Sequence, residues 1–230
     1  MTEERRTCGT GAAGRPAAPG PTGHHGGVEI DPHRTAVLAL HWQVNVIEPE
    51  GFFGGMLAEP VRRSGVVARA VRFHGDLRAR GVPVYFTRFT VPVGEGQLVR
   101  NTGFMEAVGQ AQEAFRPDAA GAQLIEPMRP LAEPGSVFDN QKLSGLAGNG
   151  LADLLAARGV DTVFLTGVAT NLTVEQTARH GTDLGFTLRV VTDCVAAVSD
   201  EVHRASLANL ALASRGPTTA DEARGLVGAG

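Results

Sequence analysis

The stretch TVFLTGVATNLT, residues 162–173, joins an apolar run directly to the start of a helix. Residues 162–167 are apolar enough to predict a strand that is buried on both faces. The small residues of GVATN suit a sharp strand-to-helix turn, and the N–H groups of the helix start that follows favour an anion. A buried strand, a tight turn and a helix in this order are typical of an α/β protein, so this stretch decides the fold class.

The same alternation continues on both sides of this stretch, and its apolar runs resemble those of a parallel sheet covered by helices on both faces. Residues 1–27 are rich in Gly, Pro and Ala, so we predict a disordered leader there and a single domain over residues 28–230. The other predicted strands span 35–42, 83–88, 136–140 and 186–192. The predicted helices span about 59–80, 103–115, 151–159, 172–184 and 199–214, with a last short one from 219.

Composition limits the classes of partner. The chain has 230 residues, 43% of them hydrophobic, and its net charge of -3 gives no electrostatic reason to expect nucleic acid. No apolar run is long enough for a membrane span or a signal peptide, so we expect a cytoplasmic protein that binds a small molecule and neither nucleic acid nor a membrane. Its two cysteines, Cys8 and Cys194, predict neither a disulfide framework nor a zinc site.

Four candidate site positions follow the predicted strands. In an open parallel sheet, ligands bind beyond the carboxyl ends of the strands, where strand order reverses. His41, Arg88, Lys142 and the turn that leads to Thr173 all lie at such ends, and Lys142 is the only lysine of the chain. Each has a structural alternative: a packed histidine, an ion-paired arginine, an accident of an arginine-rich composition and a helix-start hydroxyl.

The segment TGVATNLTVEQTARHGTDLGFTLRVVTDCVAAVSDEVHRASLANL, residues 166–210, resembles the signature region of the isochorismatase-like cysteine hydrolases. The resemblance extends over VLALHWQVN, GVPVYFTR, NQKLSGLAGNGLADLLAARGVDTVFLTG and TTADE, and so covers roughly residues 34–225. It implies a three-layer α/β/α Rossmann-like sandwich with a mainly parallel six-stranded sheet. It also implies assembly into a homodimer or a higher homo-oligomer.

The resemblance further implies a catalytic triad of Asp, Lys and Cys. Lys142 matches the lysine, whereas His41 stands in place of the aspartate and Thr173 in place of the cysteine. In the family, a cis peptide in the GVAT turn helps to form an oxyanion hole, which corresponds here to Val168, Ala169 and Thr170.

These replacements leave three possibilities open for the way the protein acts on or binds a molecule that carries a carbonyl or a carboxylate. In the first, His41 activates Thr173 as a nucleophile while Lys142 holds charge nearby. In the second, the protein is catalytically inactive and binds a metabolite or a partner. In the third, protonated His41 supplies the proton for acid-catalysed hydrolysis of an enol ether, without a covalent intermediate, and Lys142 and Arg88 bind carboxylates.

Residues 44–56 and 90–127 are expected to form a mostly apolar lid that sets specificity. The predicted substrate-binding residues are Arg88, Asn45, Gln43, Trp42 and Phe104. FTRFTVPVG after the second strand lacks the Asp/His cluster of the metal-binding family members, so we predict no metal and no cofactor. Cys194 is predicted to be a small buried side chain with no catalytic role.

Overall fold

The computed structural model describes residues 29–228, so the leader predicted at residues 1–27 lies outside the described residues. A sheet of six parallel strands forms its centre, in the order β3-β2-β1-β4-β5-β6. The strands are Thr35–Leu40 (β1), Val84–Phe89 (β2), Val137–Asn140 (β3), Thr162–Val168 (β4), Thr187–Ala196 (β5) and Pro217–Thr218 (β6). The predicted α/β class and the six-stranded sheet are confirmed.

Helices cover both faces of the sheet. The helices are Val44–Ile47 (α1), Gly54–Ser64 (α2), Val66–Arg78 (α3), Gly103–Gln110 (α4), Leu151–Ala157 (α5), Glu175–Asp183 (α6), Asp200–Ala213 (α7) and Ala220–Leu226 (α8). Apolar side chains of α2, α3 and α8 pack on one face, and those of α5, α6 and α7 pack on the other. Within residues 29–228, none of these helices is long and apolar enough to cross a membrane.

The single helix predicted over 59–80 is wrong, because the chain breaks it at Gly65. This residue has a φ of 65°, a left-handed conformation that glycine adopts easily, and it separates α2 from α3. The apolar stripe continues from Val61 to Val66 across the break, so the spacing of apolar residues in the sequence does not indicate the break. Strand β5 extends to Ala196, past the predicted end at 192, and β6 is only two residues long and begins with proline, too short to form a recognisable apolar run.

The order of the strands reverses between β1 and β4, which lie side by side at the centre of the sheet. Leu40 at the end of β1 pairs with Gly167 near the end of β4. A Cβ atom at Gly167 would lie 2.2 Å from the backbone oxygen of Leu40, so only glycine allows the two strand ends to approach this closely. The chain segments that leave these two strands therefore emerge next to each other.

Candidate active site

A cavity of about 160 Å³ lies at the carboxyl ends of the strands, beside the segments that leave β1 and β4. Four of its lining residues are polar: His41, Lys142, Asn171 and Thr173. The structure thus brings together the three candidate catalytic residues, which lie far apart in the sequence. The other lining residues are apolar: Val46, Phe53, Met56, Leu57, Phe89, Phe104, Val108, Phe115, Leu143, Val168, Ala169, Leu172 and Val198.

His41 follows β1 in a left-handed backbone conformation with a φ of 53°. Its imidazole is buried, lies edge-on to Phe89 and places Nε2 3.4 Å from Oδ1 of Asn140. Burial lowers the pKa of His41 to about 4, and the hydrogen bond to Asn140 offsets this only in part. At neutral pH the imidazole is therefore uncharged and has a lone pair with which to accept a proton.

Asn140, the last residue of β3, determines which imidazole nitrogen carries that lone pair. Its Nδ2 group donates hydrogen bonds to the backbone oxygens of Lys142, at 3.0 Å, and Ser144, at 2.9 Å. Because both partners are acceptors, the amide orientation is fixed and Oδ1 faces His41 as an acceptor. Nε2 of His41 then carries the hydrogen and Nδ1 the lone pair. Sequence reasoning missed Asn140, although a polar residue at a strand end was the signal used for the other candidates.

Thr173 lies in a π-helical turn, Thr170–Val174, that connects β4 to α6. Its Oγ1 atom is buried and has no hydrogen-bond partner among residues 29–228. The alternative of a helix-capping hydroxyl gains no support, because a capping oxygen accepts a hydrogen bond from a backbone N–H. Thr173 instead lines the cavity with its hydroxyl buried and unpartnered, and a buried polar group in that state calls for a functional explanation.

The turn before Thr173 contains a cis peptide bond between Val168 and Ala169, as the resemblance implied. Val168 and Ala169 line the cavity, whereas the Thr170 hydroxyl lies 2.9 Å from Nδ1 of His203 on α7. Ser206, one turn further along α7, approaches the Thr170 backbone oxygen at 3.2 Å. Helix α7 therefore holds the turn in place through Thr170.

Lys142 is half-buried beside the cavity, and its ammonium group has a backbone partner. Nζ donates a hydrogen bond of 2.6 Å to the backbone oxygen of Gln97, in the loop that follows β2. The side chain of Gln141 binds the same loop: it accepts from the Gln97 N–H at 2.6 Å and donates to the Glu95 oxygen at 2.9 Å. Lys142 thus fastens a loop as well as lining the cavity.

The prediction that Arg88 faces the cavity is wrong. Its guanidinium group forms two hydrogen bonds with the Asp139 carboxylate, at 2.8 and 3.1 Å, and one with the Gln123 side chain, at 3.0 Å. Successive residues of a strand point to opposite faces, and the next residue, Phe89, is the one that lines the cavity. The ion pair is the structural alternative considered above.

Trp42, Gln43 and Asn45 were predicted to contact substrate, but their polar atoms point into the protein. Nε1 of Trp42 lies 3.4 Å from the Thr166 hydroxyl. The Gln43 side chain binds both backbone groups of Phe89, and Asn45 donates to the Ala114 oxygen at 2.7 Å. These side chains hold the surrounding loops together. Of the five predicted substrate-binding residues, only Phe104 lines the cavity within the described part of the chain.

Cys194 is fully buried within β5, and burial raises the pKa of its thiol to about 12. A thiol in that state is a poor nucleophile at neutral pH, which supports the prediction of no catalytic role. Across residues 29–228 no group of three His, Cys, Asp or Glu side chains is arranged to hold a metal ion. The absence of a metal remains a prediction.

Acid is expected to destabilise the protein through His41 and His74. His74 lies in the core with Nε2 2.9 Å from the Thr166 hydroxyl, and burial lowers its pKa to about 3. Because the unfolded chain takes up protons at pH values where the folded protein does not, stability falls as the pH drops below the unfolded value of 6.5. Each histidine then lowers the free energy of unfolding by about 2 kcal/mol between pH 6.5 and pH 5.

Urea unfolding between pH 5 and pH 7.5 measures this loss. His74→Gln is expected to remove up to about half of the slope of the unfolding free energy against pH, because burial lowers the pKa of His41 and of His203 as well. His33→Gln, at an exposed imidazole, is the control for the loss of a histidine at the surface. An unaltered slope in the His74 variant would contradict the assignment.

The fold and site define an open α/β protein with a ligand cavity at the point where strand order reverses. The sequence profile of the isochorismatase domain matches residues 35–222, and the chain belongs to this family. An uncharacterised isochorismatase family protein of Escherichia coli O157:H7 is 29% identical over 187 residues, which cover 78% of this chain and 89% of the relative.

Two further similarities agree with the family. A ureidoacrylate amidohydrolase of Methylobacterium radiotolerans is 28% identical over 210 residues, which cover 82% of this chain and 81% of the relative. The crystal structure of a cysteine hydrolase from Pseudomonas syringae pv. phaseolicola superposes with a TM-score of 0.74 at 24% identity, covering 85% of this chain and 93% of that one. The chain thus belongs to a family of hydrolases.

Proposed function

We propose that this protein hydrolyses a small, neutral, apolar amide or ester, with Thr173 as the nucleophile and His41 as the general base. The observation that carries the proposal is the unpartnered Thr173 hydroxyl, buried in the same cavity as an uncharged imidazole. A carbonyl group bound there gives the hydroxyl its missing partner. The relative named as an amidohydrolase supports hydrolysis at a carbonyl carbon.

The proposed reaction proceeds in two halves. The Thr173 oxygen attacks the carbonyl carbon, its proton passes to Nδ1 of His41, and the turn at Val168 and Ala169 with the start of the π-helical turn Thr170–Val174 stabilises the oxyanion. Collapse of the intermediate breaks the bond to the amine or alcohol, which leaves with the proton from His41. Water then attacks the acyl-threonine with His41 again as the base, and the acid product and free Thr173 result.

The cavity lining supports a neutral substrate. In the described part of the chain no carboxylate lines the cavity, and Lys142 is its one charged residue. With Arg88 bound to Asp139, the carboxylate-binding pair of the enol-ether mechanism is not assembled. A pKa of about 4 for His41 also leaves only about one imidazole in a thousand protonated at pH 7, which disfavours acid catalysis.

The pH profile of kcat/KM is expected to rise through about pH 4 and to be flat from pH 6 to pH 8, because a base must be uncharged. 4-Nitrophenyl acetate, which has a single ring, is a suitable substrate, with short assays after a pH jump to limit acid unfolding and a protein-free blank at each pH. Acid catalysis by His41 predicts the opposite profile, a fall of about tenfold per pH unit above the pKa. Such a fall would overturn the role of His41 as base.

Lys142→Met is expected to lower kcat/KM by about 10²-fold, the usual effect of removing one group that stabilises the transition-state charge. Because Lys142 also holds the Gln97 loop, Gln141→Leu is the matched control: it weakens the same loop and leaves the charge in place. Equal losses in the two variants would mean that Lys142 acts through the loop alone.

A catalytically inactive, ligand-binding protein is the second candidate. Two observations favour it: the Lys142 ammonium group is bound to a backbone carbonyl, and Thr173 and His41 share no hydrogen bond. Under this alternative, aryl amides and esters raise the melting temperature, and no product forms in excess of the blank.

A further inference from the structure

The cavity is closed at one end and open at the other. His41, Thr173 and Val168 form its floor, and all three are buried. Met56 and Phe104, at 57% and 37% exposed, lie at its mouth. A substrate that reaches Thr173 with its carbonyl group therefore has its other end at this mouth.

Four exposed apolar side chains surround the mouth, and we call them the outer rim: Phe52, Met56, Phe104 and Val198. Three of them also line the cavity, while Phe52 packs edge-on against Phe53, at 4.8 Å, and Phe115, at 5.2 Å. Single exposed apolar residues are ordinary on protein surfaces, but a group of them around a concave site marks an interaction surface.

The size of the cavity limits what fits inside it. At about 160 Å³ it resembles an apolar cavity of about 150 Å³ that binds benzene, so one six-membered ring fills it. The remaining part of any longer substrate has to extend through the mouth and lie over the outer rim. The four side chains of the outer rim are all apolar, so a hydrocarbon extension packs on them better than a polar one does.

We propose that the substrate carries an apolar extension, such as an alkyl chain, that lies on the outer rim while its ring and carbonyl group fill the cavity. The proposal rests on the proposed function for the position of the carbonyl group. The occupant is part of the substrate because the rim is continuous with the cavity through Met56, Phe104 and Val198. The extension selects among substrates that share the same reactive group.

A series of 4-alkylbenzamides, with alkyl chains from methyl to pentyl, tests whether the extension contributes to binding. Calorimetry gives their association constants with Thr173→Val, and this measurement needs no turnover. The methyl esters of the matching 4-alkylbenzoic acids, which have a small leaving group, test it by kcat/KM in the unaltered protein. Both quantities are expected to rise about twofold per methylene group, about half the effect of complete burial, since the rim stays partly open to water. A flat or falling series would overturn the proposal.

Rim variants locate the effect. Phe52→Gln and Met56→Gln are expected to flatten the dependence on chain length, whereas Leu212→Gln, at an exposed leucine on α7, should leave it unchanged. If the rim variants change the sedimentation coefficient and leave the dependence on chain length intact, the rim is an interface between copies and the proposal is wrong. If binding follows chain length and no ester is turned over, the rim proposal stands and the proposed function fails.

Discussion

Thr173→Val is expected to lower kcat/KM by at least about 10³-fold and to stabilise the protein by about 1 kcal/mol. Valine keeps the shape of threonine and replaces the hydroxyl with a methyl group. Since Oγ1 is buried without a partner among residues 29–228, its removal ends an uncompensated desolvation cost. A gain in stability joined to a loss of activity is typical of a side chain kept for its chemistry.

Thr177→Val is the matched control, because Thr177 is an equally buried threonine whose hydroxyl has a partner. Its Oγ1 accepts a hydrogen bond of 2.9 Å from the Gly145 N–H, so valine there should cost roughly 1–3 kcal/mol. Thr173→Ser keeps the hydroxyl and should retain measurable turnover. Full activity in Thr173→Val, by initial rates with 4-nitrophenyl acetate, would show that this hydroxyl is not the nucleophile.

His41→Asn is expected to lower kcat/KM by about 10²- to 10⁴-fold, the range for loss of a general base. Asparagine suits the site because it tolerates the left-handed backbone conformation of residue 41, where φ is 53°, better than most residues. The substitution therefore removes the base with little added backbone strain, and circular dichroism checks that the fold is kept.

The double variant His41→Asn/Thr173→Val separates a joint role from two independent ones. Residues that act in one chemical step show losses that do not add, so the double variant should be no slower than the slower single variant. Additive losses in kcat/KM would contradict proton transfer from Thr173 to His41. Such a result would assign His41 to a step in which Thr173 takes no part.

The fold could be predicted because its main signals are local. The apolar run and small-residue turn of residues 162–173 form the expected elements. The helices predicted from residues 199 and 219 also form, and Ser199 and Thr219 cap them by accepting backbone hydrogen bonds. The break at Gly65 could not be predicted, since the apolar stripe continues through it. A single glycine with a positive φ leaves little trace in periodicity.

The site could be predicted only in part. The ends of β1 and β4 identified His41 and Thr173, because topology alone makes those positions neighbours. Successive side chains of a strand point to opposite faces, so an error of one residue reverses the predicted direction. Arg88 was predicted to contact the substrate, but the next residue, Phe89, lines the cavity. Contacts between distant segments, such as Asn140 with His41 and Lys142 with Gln97, leave no signal in a single sequence.

The most direct test of Thr173 as the nucleophile is the mass of the protein quenched in acid during turnover of 4-nitrophenyl acetate. A reactive ester makes formation of the acyl-enzyme fast relative to its hydrolysis, so the intermediate accumulates. The proposed mechanism predicts an acetyl adduct on the peptide that contains Thr173, absent from Thr173→Val and formed far more slowly in His41→Asn. Steady turnover in which Thr173 carries no adduct would contradict it.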